Sequence, residues 1–367
     1  MSRSIWSCAQ SRPAGRRSGR ERPDLTRPGD TVWAGNARAE QVDLSSLAPR
    51  ADLLAAAVVL DLAVGDPVYR WHPIRLIGDS LTWLENRLRA VEANGRIGGC
   101  ALFVMLALLW GGGAAALVVG SARLHPAAAG AVHLFLLYSL IALGDLLAHA
   151  GDVDAAVTAG DLPAARAAAG RLVGRDTEPM DGPACRRSAI ESLGESLVDG
   201  VVSPVFWYAL GGIPGIVLFK VVSTMDSMVG YRTERYRRFG WCGARLDDLL
   251  NLVPARVTWM LIAGAAVPVP GASGREALRW GWRQHVVVPG PNAGWSEAAL
   301  AGAIGRRLVG PIRLGGRLVT DVWIGDPAAV PGGSAEDYRR ALVTVLLAAV
   351  LATTVTAFLL AWARSPW

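Results

Sequence analysis

The sequence predicts an all-α polytopic membrane protein, with transmembrane helices, further irregular or re-entrant helices, and large polar loops on the cytoplasmic side. Three observations predict it. The 367-residue chain is 52% hydrophobic and only 19% charged, with a mean hydropathy of +0.31, whereas soluble domains carry about a quarter charged residues. Three runs, 97–120, 127–148 and 341–363, stay apolar for the roughly 20 residues a bilayer-spanning helix needs. Their Ala, Leu and Val content, interspersed with Gly and Trp, reads as helix rather than barrel strand.

Taken in order, residues 1–48 are rich in Arg, Ser, Pro and Gly and contain no long apolar run. They lack the stretch of about 7–15 apolar residues of a secretory signal and read as a disordered basic extension, with a basic arm on anionic lipid as the rival reading. Residues 49–367 read as a single integral membrane domain. Its first segment, 51–65, is short and carries Asp52 and Asp61. The spans 97–120 and 127–148 follow. Segment 201–219 is broken by Gly211-Gly212-Ile213-Pro214-Gly215, 254–270 is short with prolines at its end, and 341–363 is the last span. The connections 66–96, 149–200, 220–253 and 271–340 are all Arg-rich, and cytoplasmic loops collect Lys and Arg. They share one face if 201–219 is a re-entrant hairpin and 254–270 lies within the protein or along the interface. Irregular backbone at membrane depth is tolerated where it lines a protein cavity.

Composition excludes several function classes. Cys8, Cys100, Cys185 and Cys242 are scattered, which fits neither a zinc ribbon nor a disulfide framework. The chain has one lysine, Lys220, against 36 arginines. Because Lys220 follows Phe219, no Walker A loop exists. The net charge of +6 suits nucleic acid, an anionic membrane or a phosphorylated substrate, but the arginines are spread through loops without a nucleic-acid module.

Chemistry is expected in polar islands between the apolar runs. The first holds Asp61, Asp66, His72 and Arg75, either a cation or ammonium site or a helix stop with an interfacial Trp-His belt. In the second, Arg175 and Asp176 precede Glu191, Glu195 and Asp199, which at i, i+4 and i+8 share one helix face. Three carboxylates in a row want a compensating cation, and Mg²⁺ carried with a phosphorylated substrate would serve; a solvated acidic face is the alternative. The third island runs from Lys220 through Asp226, Ser227, Tyr231 and Arg232 to Asp247, Asp248 and Asn251. Arg, Ser, Thr and Tyr together suit phosphate and carboxylate recognition, while Arg235, Arg237 and Arg238 read as positive-inside anchors. The fourth begins at Pro291-Asn292, where Asn292 is either a ligand contact or a helix cap.

At these islands the chain resembles the CobD/CbiB family of cobalamin-biosynthesis membrane proteins, the adenosylcobinamide-phosphate synthases. The text that carries the resemblance includes Asp61-Leu-Ala-Val-Gly-Asp66-Pro, His72-Pro-Ile-Arg75, Arg175-Asp176-Thr and Asp199-Gly-Val-Val-Ser-Pro. It continues through the run Asp226–Trp241, Asp247-Asp248, Pro254-Ala-Arg256 and Pro291-Asn292-Ala-Gly-Trp. It covers roughly residues 50–320. Ser196, Ser223 and Ser296 stand where the family tends to carry Asn, Asn and Pro, so amide roles at the first two positions are lost.

The resemblance implies amide-bond formation between adenosylcobyric acid and (R)-1-amino-2-propanol phosphate or a related amino alcohol, with ATP and Mg²⁺, on the cytoplasmic face of the inner membrane. On that footing Glu191, Glu195 and Asp199 are expected on metal or amine, with Glu195 and Asp199 as the metal ligands. Lys220 with Arg232 would neutralise the phosphoryl group, and Asp226 would be a base or second metal ligand. His72, Arg75, Arg175, Asp176, Ser227, Tyr231, Asp247, Asn251 and Asn292 are the remaining substrate-binding candidates. Two alternatives stay open: a corrinoid or anion transporter, to which broken helices and buried charge also point, and a non-catalytic scaffold for other corrin enzymes.

Overall fold

Inside a bilayer the backbone must satisfy its own hydrogen bonds, and these Ala- and Leu-rich runs do so as helices. The computed structural model describes residues 44–67 and 69–365. Its helices are α1 (Ala51–Val64), α2 (Pro73–Ala90), α3 (Arg96–Leu106), α4 (Gly113–Leu124), α5 (Pro126–Ser139), α6 (Leu143–Thr158) and α7 (Leu162–Leu172). After them come α8 (Gly182–Leu197), α9 (Ser203–Val229), α10 (Trp241–Leu250), α11 (Leu252–Ala266), α12 (Gly274–Gln284), α13 (Ala293–Ile304) and α14 (Ala335–Trp362). Wide π turns join α3 to α4 at Ala107–Gly112 and α8 to α9 at Val198–Val202. Among the described residues, four stretches are long and apolar enough to cross a membrane: Arg96–Leu124, Pro126–Thr158, Gly182–Val229 and Ala335–Trp362. The pair α10–α11, bent by 44°, makes a fifth if it is one broken span.

Several expectations are corrected. The span 127–148 falls inside the candidate span Pro126–Thr158, but its helix is not continuous. It is interrupted at 140–142, and the new N-terminus of α6 is satisfied by a distant side chain: Leu143 N and Gly144 N donate to Asp61 Oδ2 at 2.9 and 2.8 Å. The four polar connections are not loops but largely helix, carrying α2, most of α6, α7, α8, α10, α12 and α13. The last of them also holds an antiparallel hairpin, β1 (Leu308–Leu314) with β2 (Arg317–Ile324). Residues 1–43 of the basic extension lie outside the described residues, but 44–48 are ordered, with a short 3-10 turn at Leu44–Leu47. Segment 254–270 falls mostly in α11, whose Ala255, Thr258, Ile262 and Ala266 are buried while Met260 and, just beyond it, Val267 are exposed.

Because Asp61 is fully buried, its removal would strand two backbone donors. Asp61→Ala is expected to cost about 2 kcal/mol, read as a lower thermal midpoint in detergent, with Asp61→Asn costing less.

The re-entrant expectation for 201–219 has a definite geometry. Gly212 has φ 59° and ψ −145°, and there the chain turns back on itself. A Cβ on Gly215 would lie 2.2 Å from the Trp207 carbonyl oxygen, although positions eight apart in a straight helix are about 12 Å distant. The arms 203–211 and 213–229 therefore run side by side. At the tip the ordered strap before α1 closes over the turn. Arg50 N donates to Tyr208 Oη at 2.8 Å, and His133 bridges the same hydroxyl (2.7 Å) to the Ser46 carbonyl oxygen (3.0 Å).

The main core gathers α1, α5, α6, α8, the first arm of α9, α11, α13 and α14 around residues such as Leu54, Leu137, Leu193, Tyr208, Leu300 and Val345. A second cluster, Ile77, Leu81, Leu102, Val221, Met225 and Phe239, pins α2 and α3 against the returning arm of α9.

Candidate functional site

The hairpin brings its two arms' polar residues together at the open end. Lys220 Nζ, on the returning arm, donates to the Asp199 carbonyl oxygen at 3.0 Å. In a straight helix residues 21 apart would be separated by about 31 Å, so this contact exists only because the chain reverses. Asp199 lies in the π turn, where the i+5 partner of its carbonyl oxygen is Pro204, which has no N–H, and the lysine supplies the missing donor.

Three clefts meet at this junction. The largest, 590 Å³, is lined by Asp66, His72, Arg75, Lys220, Thr224 and Ser227 among others. The second, 310 Å³, shares Asp145, His149, Lys220 and Ser223 with the first and adds Arg171, Ser192, Ser196 and Asp199. The third, 160 Å³, shares Asp199 and adds Glu195, Asp226, Asp247, Asp248, Asn251 and Asn292. One groove thus runs from a large pocket of mixed polarity, past Lys220, to a small acidic pocket behind Asp199.

The acidic pocket carries five carboxylates, and among the described residues Arg245, 3.2 Å from Asp248, is the only cation paired with any of them. Asn251 is fixed between Ser203 Oγ, which donates to its Oδ1 at 2.5 Å, and Asp247 Oδ2, to which its Nδ2 donates at 3.0 Å. Asn292 Nδ2 donates to the Asp248 carbonyl oxygen at 2.8 Å, while its buried Oδ1 has no partner among the described residues. Behind Glu195, Glu297 on α13 is buried; desolvation, then the charges of Glu195 and Glu191, raise its carboxyl well above the ordinary value. Carboxylates packed this closely are neutralised either by protonation or by a cation. No group of three or more His, Cys, Asp or Glu side chains among the described residues is arranged to hold a metal unaided.

Several candidates lie elsewhere. Glu191 is buried, paired with Arg175, and accepts Val309 N at 2.9 Å from β1. Asp176 accepts Gly315 N and Gly316 N at the hairpin tip, at 3.1 and 2.7 Å. These three residues hold the β-hairpin against α8 and line none of the three clefts, because the hairpin covers the Glu191 end of the carboxylate row. Tyr231 and Arg232 are exposed on the turn after α9 and line none of the clefts either, so Lys220 and Arg232 are not brought together. His72 caps α2 by accepting Ile74 N at Nδ1 (3.3 Å), and its Nε2 is 2.8 Å from Asp66.

Sequence reasoning missed Asp145, His149 and Arg171 as cleft residues. The spacing of Asp145 and His149, one helical turn apart at the end of an apolar run, was the available signal.

Over residues 54–361 the chain matches the family described as CobD/Cbib protein. It is 40% identical over 307 residues to the cobalamin biosynthesis protein CobD of Pelobacter propionicus, spanning 84% of this chain and 94% of that one. To the protein of the same name from Geobacter metallireducens it is 40% identical over 310 residues, 83% and 97% of the two chains. To the cobalamin biosynthesis protein CbiB of Salmonella typhi it is 36% identical over 299 residues, 81% and 93%. No solved structure matches.

Proposed function

We propose, from the premise that this chain belongs to the CobD/CbiB protein family, that its groove joins an amine to a corrinoid carboxylate. The family places the chain in cobalamin biosynthesis, with a corrinoid-type substrate and a membrane setting. The proposed reaction condenses the last free carboxylate of adenosylcobyric acid with (R)-1-amino-2-propanol phosphate, or a related amino alcohol, giving adenosylcobinamide phosphate. It would run at the cytoplasmic face of the inner membrane.

The observation that carries this reading is the middle cleft, which shares Lys220 with the large pocket and Asp199 with the acidic one. An amide bond needs an activated carboxylate, and ATP is the proposed source. Bound with the triphosphate, Mg²⁺ would supply charge neutralisation at the phosphoryl oxygens. Glu195 and Asp199 would hold it, with Asp226 and Asp247 completing the negative wall. Lys220 lines both the large pocket and the middle cleft and would neutralise charge developing on the transferred phosphoryl group. Arg75 and Ser227 line the large pocket and would grip the carboxylates and amides of the corrinoid.

Purified protein in nanodiscs, given adenosylcobyric acid, aminopropanol phosphate and Mg-ATP, is expected to form the condensed product, detected by mass spectrometry, and to stop when the metal is chelated. Absence of product across conditions would sink the reading. A transporter is the second reading, favoured by the helix reversal at Gly212 within an apolar hairpin. It predicts corrinoid uptake into sealed proteoliposomes without any condensation.

A further inference from the structure

We infer that His149 is the general base that takes the proton from the attacking amine, an assignment that rests on the amide-forming reading above. His149 and Asp145 stand one turn apart on α6. Nδ1 of His149 lies 3.1 Å from Asp145 Oδ1 and 2.9 Å from the Asp145 carbonyl oxygen. With two acceptors against it, Nδ1 carries the proton of the neutral ring, and Nε2 is left with its lone pair. No described residue hydrogen-bonds to Nε2, and His149 lines both the 590 Å³ and the 310 Å³ pockets beside Lys220. A carboxylate fixing one ring nitrogen and leaving the other its lone pair is the arrangement that general-base catalysis by histidine uses.

Other bases near the groove fit less well. In His72 the tautomer is reversed: Nδ1 accepts a backbone N–H, so Nε2 carries the proton and faces Asp66. His133 is spent at the hairpin tip between Ser46 and Tyr208. Asp199 and Asp226 line the acidic pocket, where their charge serves a cation. The position of His149 is also built from outside its own helix, because α6 begins at the backbone groups that the buried Asp61 carboxylate anchors.

The step balances as follows. ATP chemistry leaves the corrinoid carboxylate as an acyl–phosphoryl anhydride, and the second substrate enters as its free amine after losing a proton to water. The amine nitrogen forms a bond to the acyl carbon. The carbon–oxygen bond to the phosphoryl group breaks, and its electron pair leaves with that oxygen. The extra proton on nitrogen passes to His149 Nε2 and from there to solvent. The charged and titratable groups around the ring are Asp145 on α6, Arg171 on α7, Asp199 in the π turn, Lys220 on α9, and Asp66, His72 and Arg75 from the α2 side.

The test uses two nucleophiles on the full-length protein in nanodiscs, with adenosylcobyric acid and Mg-ATP. Aminopropanol phosphate reports the whole reaction. Hydroxylamine, a strong neutral nucleophile, traps the activated acyl group without needing the enzyme's base and reports activation alone. His149→Gln and His149→Asn are expected to lower amide formation at neutral pH by about 10²–10⁴-fold, with partial recovery as pH rises, and to leave hydroxamate formation within a few-fold of the parent. Unchanged amide formation in both variants overturns the assignment. So does equal loss of amide and hydroxamate in both, since the group would then act before amine addition. Parent protein that yields neither product overturns the ligase reading itself, a result distinct from either variant outcome.

Discussion

Lys220→Met is expected to lower product formation by about 10²–10³-fold, the loss typical when one preorganised charge or donor is removed from a reacting phosphoryl or acyl centre. The methionine keeps most of the length and apolar volume of lysine, so the hairpin arms stay packed. Stability should fall by only about 1–3 kcal/mol, the cost of leaving the Asp199 carbonyl without its donor. Lys220→Arg should not restore the rate. The chain uses arginine 36 times and lysine once, and a planar guanidinium cannot replace a compact ammonium at the junction of two narrow pockets. Initial rates by mass spectrometry, set beside thermal midpoints, separate the two effects. Parental rates in Lys220→Met would remove the junction from the mechanism.

The second large effect is structural. Gly212→Ala is expected to cost about 3 kcal/mol or more, and Gly212→Val to prevent recovery of folded protein. Two independent penalties act there. The backbone at φ 59° and ψ −145° is a region in which non-glycine residues cost about 1–3 kcal/mol. A Cβ would also lie 1.9 Å from the Leu47 carbonyl oxygen, backbone that cannot swing aside as a side chain would. Unfolding in detergent measures the loss. A Gly212→Ala protein as stable as the parent would mean that the strap of residues 44–48 does not seat on the hairpin. Where folded variant is recovered, activity should suffer too, because Asp199 and Lys220 reach each other only across the reversal.

Much of this was legible in the sequence. Gly211-Gly212-Ile213-Pro214-Gly215 announces a break, since glycine opens backbone regions closed to other residues and proline forbids a regular continuation. The apolar runs that became α3–α4 and α14 were readable from length alone. What failed depended on distant partners. Nothing local to 140–142 shows that Asp61 caps a new helix start there. The row Glu191, Glu195, Asp199 has one periodicity but two environments, because a hairpin 120 residues downstream covers only one end of it. That hairpin left its own trace: alternating apolar residues flank Gly315-Gly316, a two-residue turn signal. The arginine-rich context around it reads more strongly as loop. Asp145 and His149 were hidden by the apolar run they terminate, and the part His72 plays in starting α2 was not read beside its place in the largest cleft.

The amine shared by two of the three pockets has a practical consequence. Because Lys220 is the only lysine in 367 residues, the molecule carries a single side-chain primary amine, placed where the substrates are proposed to converge. An amine-selective acylating reagent therefore has one internal address, and the mass of one peptide reports whether the groove was open or filled when the reagent was added. Ligand occupancy can be followed this way in crude membranes, without an engineered label and without an assay for turnover.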